Sequence, residues 1–412
     1  MTTASSSAPA AGVTASTIGT WVMETQQPVR FKIKNSPGIF SKGNRDVLEF
    51  GSQGPNSRRM VVIDRTICQY YLHDIVDYFK HQQVECHVVA IDATEDDKNL
   101  ESLLVVLREM EKFGVLRRDE PLIAVGGGVL LDIAGMAAGM YRRGVPYIRV
   151  PTTLVGLVDA SVGAKTGINF ESRRNRLGSY YPPIAAYLDK GFLRTLAPLE
   201  ITSGLGEILK MAVVKDRALF ELLEEFGPEL IETRFIGCRA ADEVINRAVS
   251  GMKDELQENL WEKNLERMVD FGHSFSPIIE MRSINDAGQV ALTHGQAVAL
   301  DVLFSCVLSH QRGLMAKEEL LRVGRTAQRL QLPTDHALFN EPLVILEALK
   351  DTMKHRNGDQ NLPIPRAIGD SQFVNDLTFG EIKTAVAGLQ QLNAQLGQAK
   401  AADQAASAGS PA

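Results

Sequence analysis

The sequence predicts an α/β half built on a parallel sheet, followed by a mostly α-helical half. Three observations carry this. The chain has 412 residues, more than one ordinary core holds, so two domains are expected. In the first half, short β-branched runs alternate with segments of helical period. After about Asp189 the alternation stops and long segments of 3.6-residue period take over.

The elements follow in order. Strands are predicted at 60-MVVID-64, 87-HVVAI-91, 122-LIAVG-126 and 147-YIRV-150. Helices are predicted between them, near 71–82, 98–113 and 129–142, and short connections make the sheet parallel. In the second half, 217-RALFELLEEFGPELIE-232 and 296-QAVALDVLFSCVLSHQRG-313 have helical period. Both ends are rich in Ala, Ser and Gly. The expected organisation is a disordered start over 1–18, an α/β domain over 19–188, a helical domain over 189–393 and a disordered tail over 394–412. A cleft between the two domains is the default place for chemistry.

Composition narrows the function classes. Apolar content of 44% and charged content of 23% are those of a soluble globular protein. A net charge of -6 argues against a nucleic-acid partner, which usually leaves a basic stripe. The local basic knot 173-RRNR-176 suits a small anion better than a polymer. None of the four cysteines stands at CxxC spacing, so neither a zinc knuckle nor a disulfide framework is indicated. With no basic leader, no long apolar h-region and no run of eighteen apolar residues, the expectation is a cytoplasmic protein with no membrane partner.

Two groups of residues suggest chemistry. The stretch 122-LIAVGGGVLLDIAGMAAG-139 reads as strand, glycine turn and helix, with Gly126, Gly127 and Gly128 followed by Asp132 and Gly135. Glycines admit a ligand close to the backbone, and a helix N-terminus offers free N–H groups to phosphate. Position 131 is Leu, so the GxGxxG fingerprint is absent, and a tight strand–helix turn is the plain alternative. A second small-residue loop, 151-PTTLVGLVDASVGAKTGIN-169, and a polar loop, 92-DATEDDKN-99, favour a nucleotide. The other group is Glu207 in 204-GLGEILK-210, His273 in FGHSF and His294 in THGQAVALD, with Lys210 one turn beyond Glu207. One carboxylate and two imidazoles make a plausible open zinc site. Taken singly, each is as simply a solvated glutamate or a satisfied core histidine, and the spacing is too long for a short zinc motif.

In order, GGGVLLDIAG, RVPTTLVGLVDASVGAKTGIN, NRLGSYYPP, GLGEILK, FGHSF and THGQAVALD resemble the dehydroquinate synthase-like sugar phosphate cyclases across about residues 60–375. The resemblance implies a Rossmann-like NAD-binding α/β domain, a helical metal-binding domain, a homodimer and NAD+ regenerated in each turnover. It implies that Glu207, His273 and His294 bind Zn2+ or Co2+. Lys165, Lys210, Asn175 and Arg174 would hold a small-molecule sugar phosphate. Asp64, Glu95, Lys98, Gly127, Gly128, Asp132, Thr152, Thr153, Asp159, Lys165, Thr195 and Glu200 would line the NAD+ site.

Departures from the dehydroquinate synthase pattern concern the substrate. The family's carboxylate-gripping arginine and its asparagine fall on Glu266 and Asp270, with Arg267 one position off, and a second histidine becomes Pro277. Two further lysines fall on Leu256 and His355. An aspartate facing a substrate carboxylate in a site of low dielectric costs several kcal/mol. The expected substrate is therefore a keto sugar phosphate with a neutral end. Leu256, Asp270 and His355 look like the branch that cyclises sedoheptulose 7-phosphate to 2-epi-5-epi-valiolone. Alternatives are the desmethyl-4-deoxygadusol branch, 3-dehydroquinate synthesis, and, in a different class, an iron-type NAD-dependent polyol dehydrogenase.

Overall fold

The computed structural model describes residues 20–408 apart from 26, 55 and 172, so the segment expected to be disordered at 1–18 lies outside the described residues. The first half contributes β1 (Lys32–Asn35), β2 (Arg58–Asp64), α1 (Arg65–His81), β3 (Glu85–Ile91), α2 (Leu100–Phe113), β4 (Leu122–Gly126), α3 (Gly128–Met140), β5 (Tyr147–Pro151), β6 (Lys165–Phe170), β7 (Arg173–Tyr180) and β8 (Ala185–Leu188). Six of these strands form one parallel sheet in the order β1-β8-β5-β4-β2-β3. The four predicted strands and three predicted helices are all present; the first helix starts six residues before its expected 71–82, at Arg65, and the others lie within two residues of their expected bounds.

The inner strands of the sheet are buried on both faces, which is why β2, β4 and β5 read as continuous apolar runs. Met60, Val62, Leu122 and Ala124 pack with Leu103, Val106, Leu130 and Ile133 of α2 and α3. Their neighbours Val61, Ile63, Ile123 and Val125 face the other way, onto Ile75, Tyr78 and Phe79 of α1. The chain leaves β2 toward β3 and leaves β4 toward β5, on the opposite side. The carboxyl ends of β2 and β4, at Asp64 and Gly126, therefore flank the reversal point, where doubly wound sheets bind ligands.

After Leu188 come α4 (Pro198–Val214), α5 (Arg217–Glu232), α6 (Ala241–Glu258), α7 (Ser276–Asn285), α8 (His294–Gln311), α9 (Lys317–Arg329), α10 (Pro342–His355), the antiparallel pair β9 (Leu362–Ala367) and β10 (Asp370–Val374), and α11 (Phe379–Ala408). In α4 every residue from Ile201 to Val214 is buried, and in α8 every residue from Ala297 to Ser309. Helices buried on all sides are core helices, and the rest of this half packs around these two.

Three features differ from expectation. The stretch read as a loop over 151–169 ends in a hairpin, β6 with β7, paired Thr166 to Ser179 and Gly167 to Gly178. Most of β7, RRNRLGSY, is exposed and polar, so it shows no apolar alternation. Strand β8, AAYL, is fully buried but lacks the β-branched residues that mark a strand. The expected disordered tail over 394–412 is corrected: α11 continues to Ala408, because Leu392 and Leu396 are buried and Leu396 lies against Gly324 of α9. Residues 409–412 lie outside the described residues.

Leu396→Ala should therefore cost about 2–5 kcal/mol of unfolding free energy in a denaturant titration. A cost within about 0.5 kcal/mol would mean that the tail does not pack.

Candidate functional site

The site begins where α4 crosses α8. A Cβ on Gly295 would stand 1.7 Å from the carbonyl oxygen of Ser203, and one on Gly206 would stand 2.1 Å from that of Gly295. The two helices thus meet backbone to backbone, and the Gly295 N–H donates to Ser203 Oγ at 3.1 Å. Each glycine is followed or preceded by a functional residue, Glu207 after Gly206 and His294 before Gly295. Thr293 starts α8 with a capping box to Gln296, which fixes His294 as the first helical residue. The result is His294 Nε2 at 3.0 Å from Glu207 Oε1.

His273 comes from the loop before α7. Gly272 turns that loop with φ of +74°, and a Cβ there would meet Val298 of α8 at 2.8 Å. Asp301, fully buried on α8, accepts the N–H groups of Phe275 and Ser276 at 2.6 and 2.8 Å, and burial pushes its carboxyl up to about 6. Thr352 of α10 donates to the Ser274 carbonyl at 2.8 Å. So held, His273 Nε2 lies 3.6 Å from Glu207 Oε1 and 3.4 Å from His294 Nε2.

These three residues can supply ligand atoms all within 4.8 Å of one another. Both Nδ1 atoms are already engaged, His273 with the Phe271 carbonyl at 3.2 Å and His294 with Glu280 Oε2 at 3.0 Å. That leaves both Nε2 atoms facing Glu207, the arrangement outer partners impose on metal-binding histidines. Neither buried oxygen of Glu207 makes a hydrogen bond of good geometry, although Lys210 Nζ pairs with Oε2 at 2.6 Å. Burial lowers the His273 pKa to about 4, with Lys210 adding to the effect, so its imidazole is neutral. Burial opposes charge on His294 too, but Glu280 and Glu207 outweigh it and raise its pKa to about 10. Carboxylates that draw a proton so strongly would also draw a dication. The donor set, one carboxylate and two imidazoles with room for further oxygens, fits a catalytic zinc site.

The anion-holding candidates sit beside this cluster. Lys210 is fully buried, and Glu207 and Asp159 outweigh the burial to keep it charged. Arg174 of β7 reaches Glu280 of α7 and also grips Glu95, its Nε at 3.0 Å and Nη2 at 3.1 Å. Asn175 accepts from Lys98 Nζ at 2.6 Å, and the same nitrogen pairs with Asp132 at 2.6 Å. Lys165 is largely exposed and pairs with Glu262. The hairpin therefore carries Lys165 and Arg174 to the helical half, while Asn175 stays bonded to Lys98 of the first half.

At the carboxyl end of the sheet, Gly127 caps α3 with no side-chain bond, leaving the helix's first N–H groups free, and a Cβ there would crowd Thr153 at 3.0 Å. Gly128 faces Ala160, Thr152 donates its N–H to the Gly126 carbonyl at 3.0 Å, and Thr153 Oγ1 accepts from Gly156 at 3.0 Å. Asp64 caps α1 at the end of β2. This free helix terminus beside a tight glycine turn fits a dinucleotide pyrophosphate. Glu95 and Lys98 bind hairpin residues, so they link this region to the cluster. The Asp159 carboxyl is pushed up by burial and by the nearby charge of Glu207. Thr195 bonds Tyr71 at 2.9 Å and Glu200 is exposed in the first turn of α4, and neither bonds the glycine turn.

Of the substrate-selecting candidates, Asp270 is bound by Arg267, and Leu256 of α6 approaches Gly163, two residues before Lys165. Pro277 is exposed in the first turn of α7, where it helps start the helix. His355, at the end of α10, has a side chain 59% exposed that lies 3.8 Å from Asp351. Its neighbour Arg356 is buried and reaches Asp270. Sequence reasoning missed Arg356, Glu262, Glu280 and Asp301. The GHSF-to-THGQ spacing gives no signal for Glu280 or Asp301, because both lie on apolar helices.

A sequence profile described as 3-dehydroquinate synthase N-terminal matches residues 88–203, and one described as 3-dehydroquinate synthase C-terminal matches residues 204–355. The chain belongs to the 3-dehydroquinate synthase family. Within that family it is 45% identical, over 90% of its own length and 91% of the other's, to a 2-epi-5-epi-valiolone synthase of Streptomyces albus. The solved structure of ValA, the 2-epi-5-epi-valiolone synthase from Streptomyces hygroscopicus subsp. jinggangensis 5008 with NAD+ and Zn2+ bound, is 44% identical with a TM-score of 0.84, covering 90% of this chain and 99% of that one. A demethyl-4-deoxygadusol synthase of Trichormus variabilis is 32% identical over 90% of each chain.

Two substitutions test this geometry. Gly295→Ala should drive α8 off α4, weaken Zn2+ binding at least about tenfold and cost about 1–3 kcal/mol of stability, read by metal titration and unfolding. Glu280→Gln removes the anion at His294 Nδ1 and should weaken Zn2+ binding by about 10–100-fold with NAD+ affinity unchanged, read by calorimetry.

Proposed function

We propose that this protein is a 2-epi-5-epi-valiolone synthase, a carbon–oxygen lyase that cyclises sedoheptulose 7-phosphate with loss of phosphate for cyclitol biosynthesis, using NAD+ and Zn2+ or Co2+. A cytoplasmic homodimer is part of the proposal. The observation that carries it is Asp270, ionised between two guanidinium groups near the metal ligands, in a chain 45% identical to a synthase of that name. Arg267 and Arg356, after burial, hold the Asp270 carboxyl below its usual range, so it is an anion where a substrate carboxylate would be repelled. A seven-carbon ketose phosphate brings a hydroxyl there instead.

A metal held by Glu207, His273 and His294 would supply Lewis acidity to substrate oxygens, and a nicotinamide bound beside the glycine turn would supply reversible hydride transfer with no net redox change. The chain's own residues bind and orient. Lys165, Arg174, Asn175 and Lys210 surround the place for phosphate and neighbouring hydroxyls with donors. Once C5 is a ketone the C6 proton is acidic, and the departing C7 phosphate can take it. Holding that phosphate is then the protein's main task. With C5 restored, the ring opens and the enol carbon attacks the C2 ketone to close the carbocycle.

The test is incubation with sedoheptulose 7-phosphate, NAD+ and Zn2+, with the product identified by mass and NMR. Phosphate release without net NADH and without a new ultraviolet band is expected. An enone chromophore would assign the protein to the gadusol branch, and turnover only with a seven-carbon keto acid phosphate would make it a dehydroquinate synthase.

A further inference from the structure

We propose that Arg356, together with Arg267, is a positioning residue that clamps the Asp270 carboxyl in one orientation and so makes it the reader of a substrate hydroxyl; the proposal rests on the function above. A carboxylate this deep would otherwise turn toward water. Arg267 grips it with Nη2 at 2.7 Å from Oδ1 and with Nε and Nη2 at 3.1 and 2.8 Å from Oδ2. Arg356 Nη2 approaches the same Oδ2 at 3.4 Å.

Neither arginine is free to swing away. Arg356 Nη1 donates to the Gln360 carbonyl at 2.6 Å and the Asn361 carbonyl at 3.1 Å. Those carbonyls belong to a turn that folds back through positive φ at Asn357, Gly358 and Asn361, and so encloses the guanidinium. Arg267 Nη1 pairs with Glu262, which pairs in turn with Lys165 and accepts Tyr180 OH at 2.9 Å. One chain of charges, Lys165, Glu262, Arg267, Asp270 and Arg356, thus runs from the phosphate-holding lysine to the selecting aspartate.

The arrangement gives Asp270 an asymmetry. Oδ2 is used by two guanidinium groups, while Oδ1 meets one donor and keeps acceptor capacity. A hydroxyl can donate to Oδ1, whereas a carboxylate cannot. The two arginines do not themselves offer a carboxylate site, because Asp270 already occupies them.

The experiment is a double-mutant cycle with Arg356→Met and Asp270→Asn in the full-length protein loaded with Zn2+ and NAD+, read as kcat and KM for sedoheptulose 7-phosphate. Arg356→Met should lower kcat/KM about tenfold or more while Zn2+ and NAD+ affinities stay within about twofold. In the Asp270→Asn background the same change should have little further effect, because Arg356 acts through Asp270. Should Arg356→Met fail to fold, Arg356→Lys, which keeps the charge but loses the fork, carries the test and should show a smaller loss that also vanishes in that background. Additive losses, or an Arg356 variant with normal kcat/KM, would overturn the clamp alone. A wild-type protein that releases no phosphate from this sugar overturns the proposed function and the clamp's role with it.

Discussion

The contact on which the site depends is the crossing of α4 and α8 at Gly206 and Gly295. Two helices normally stand 8–10 Å apart because side chains separate them. Here both contact residues lack a side chain, and the backbones touch. This proximity lets Glu207, on a helix buried on every side, meet His294 at 3.0 Å without a loop having to carry it. A ligand on a packed helix has little rotamer freedom, so the ordering cost of metal binding has largely been met by folding.

The second constraint is charge. Glu207, Lys210, Glu280, Arg174 and Asp270 are all largely removed from water, and isolated buried charges are costly. Each has an opposite partner: Lys210 for Glu207, Arg174 for Glu280, Arg267 and Arg356 for Asp270. Two of the pairs join different elements, so ion pairing also fixes how the β6–β7 hairpin meets α7, through Arg174 and Glu280, and how the end of α10 meets the segment before His273, through Arg356 and Asp270. The same network that makes the charges tolerable lets a cluster able to hold a dication and a phosphate-holding group stand close together.

Much of this was legible. Parallel strands buried on both faces leave apolar runs, which is why β2 to β5 could be read directly. The three metal-ligand candidates could be named because motif order placed them, although each alone was ambiguous. What could not be read were pairings between polar segments. The β6–β7 hairpin is exposed and has no apolar alternation, and the α11 tail is Ala- and Gln-rich, so composition suggested disorder where two leucines anchor a helix.

The sequence by itself determined the order of elements, the glycine turn, the residue types of the metal site and the replacement of a neutral amide by a carboxylate at Asp270. Those follow from local periodicity and from which chemical groups the chain contains. Only the tertiary structure decided which neighbour faces inward near the end of α10. Arg356 leaves the helix just after its last residue, His355, and is turned onto Asp270 by the carbonyls of Gln360 and Asn361, while the His355 side chain stays largely exposed. Where the chain turns after a helix is set by packing against other elements, and no reading of one segment alone contains it.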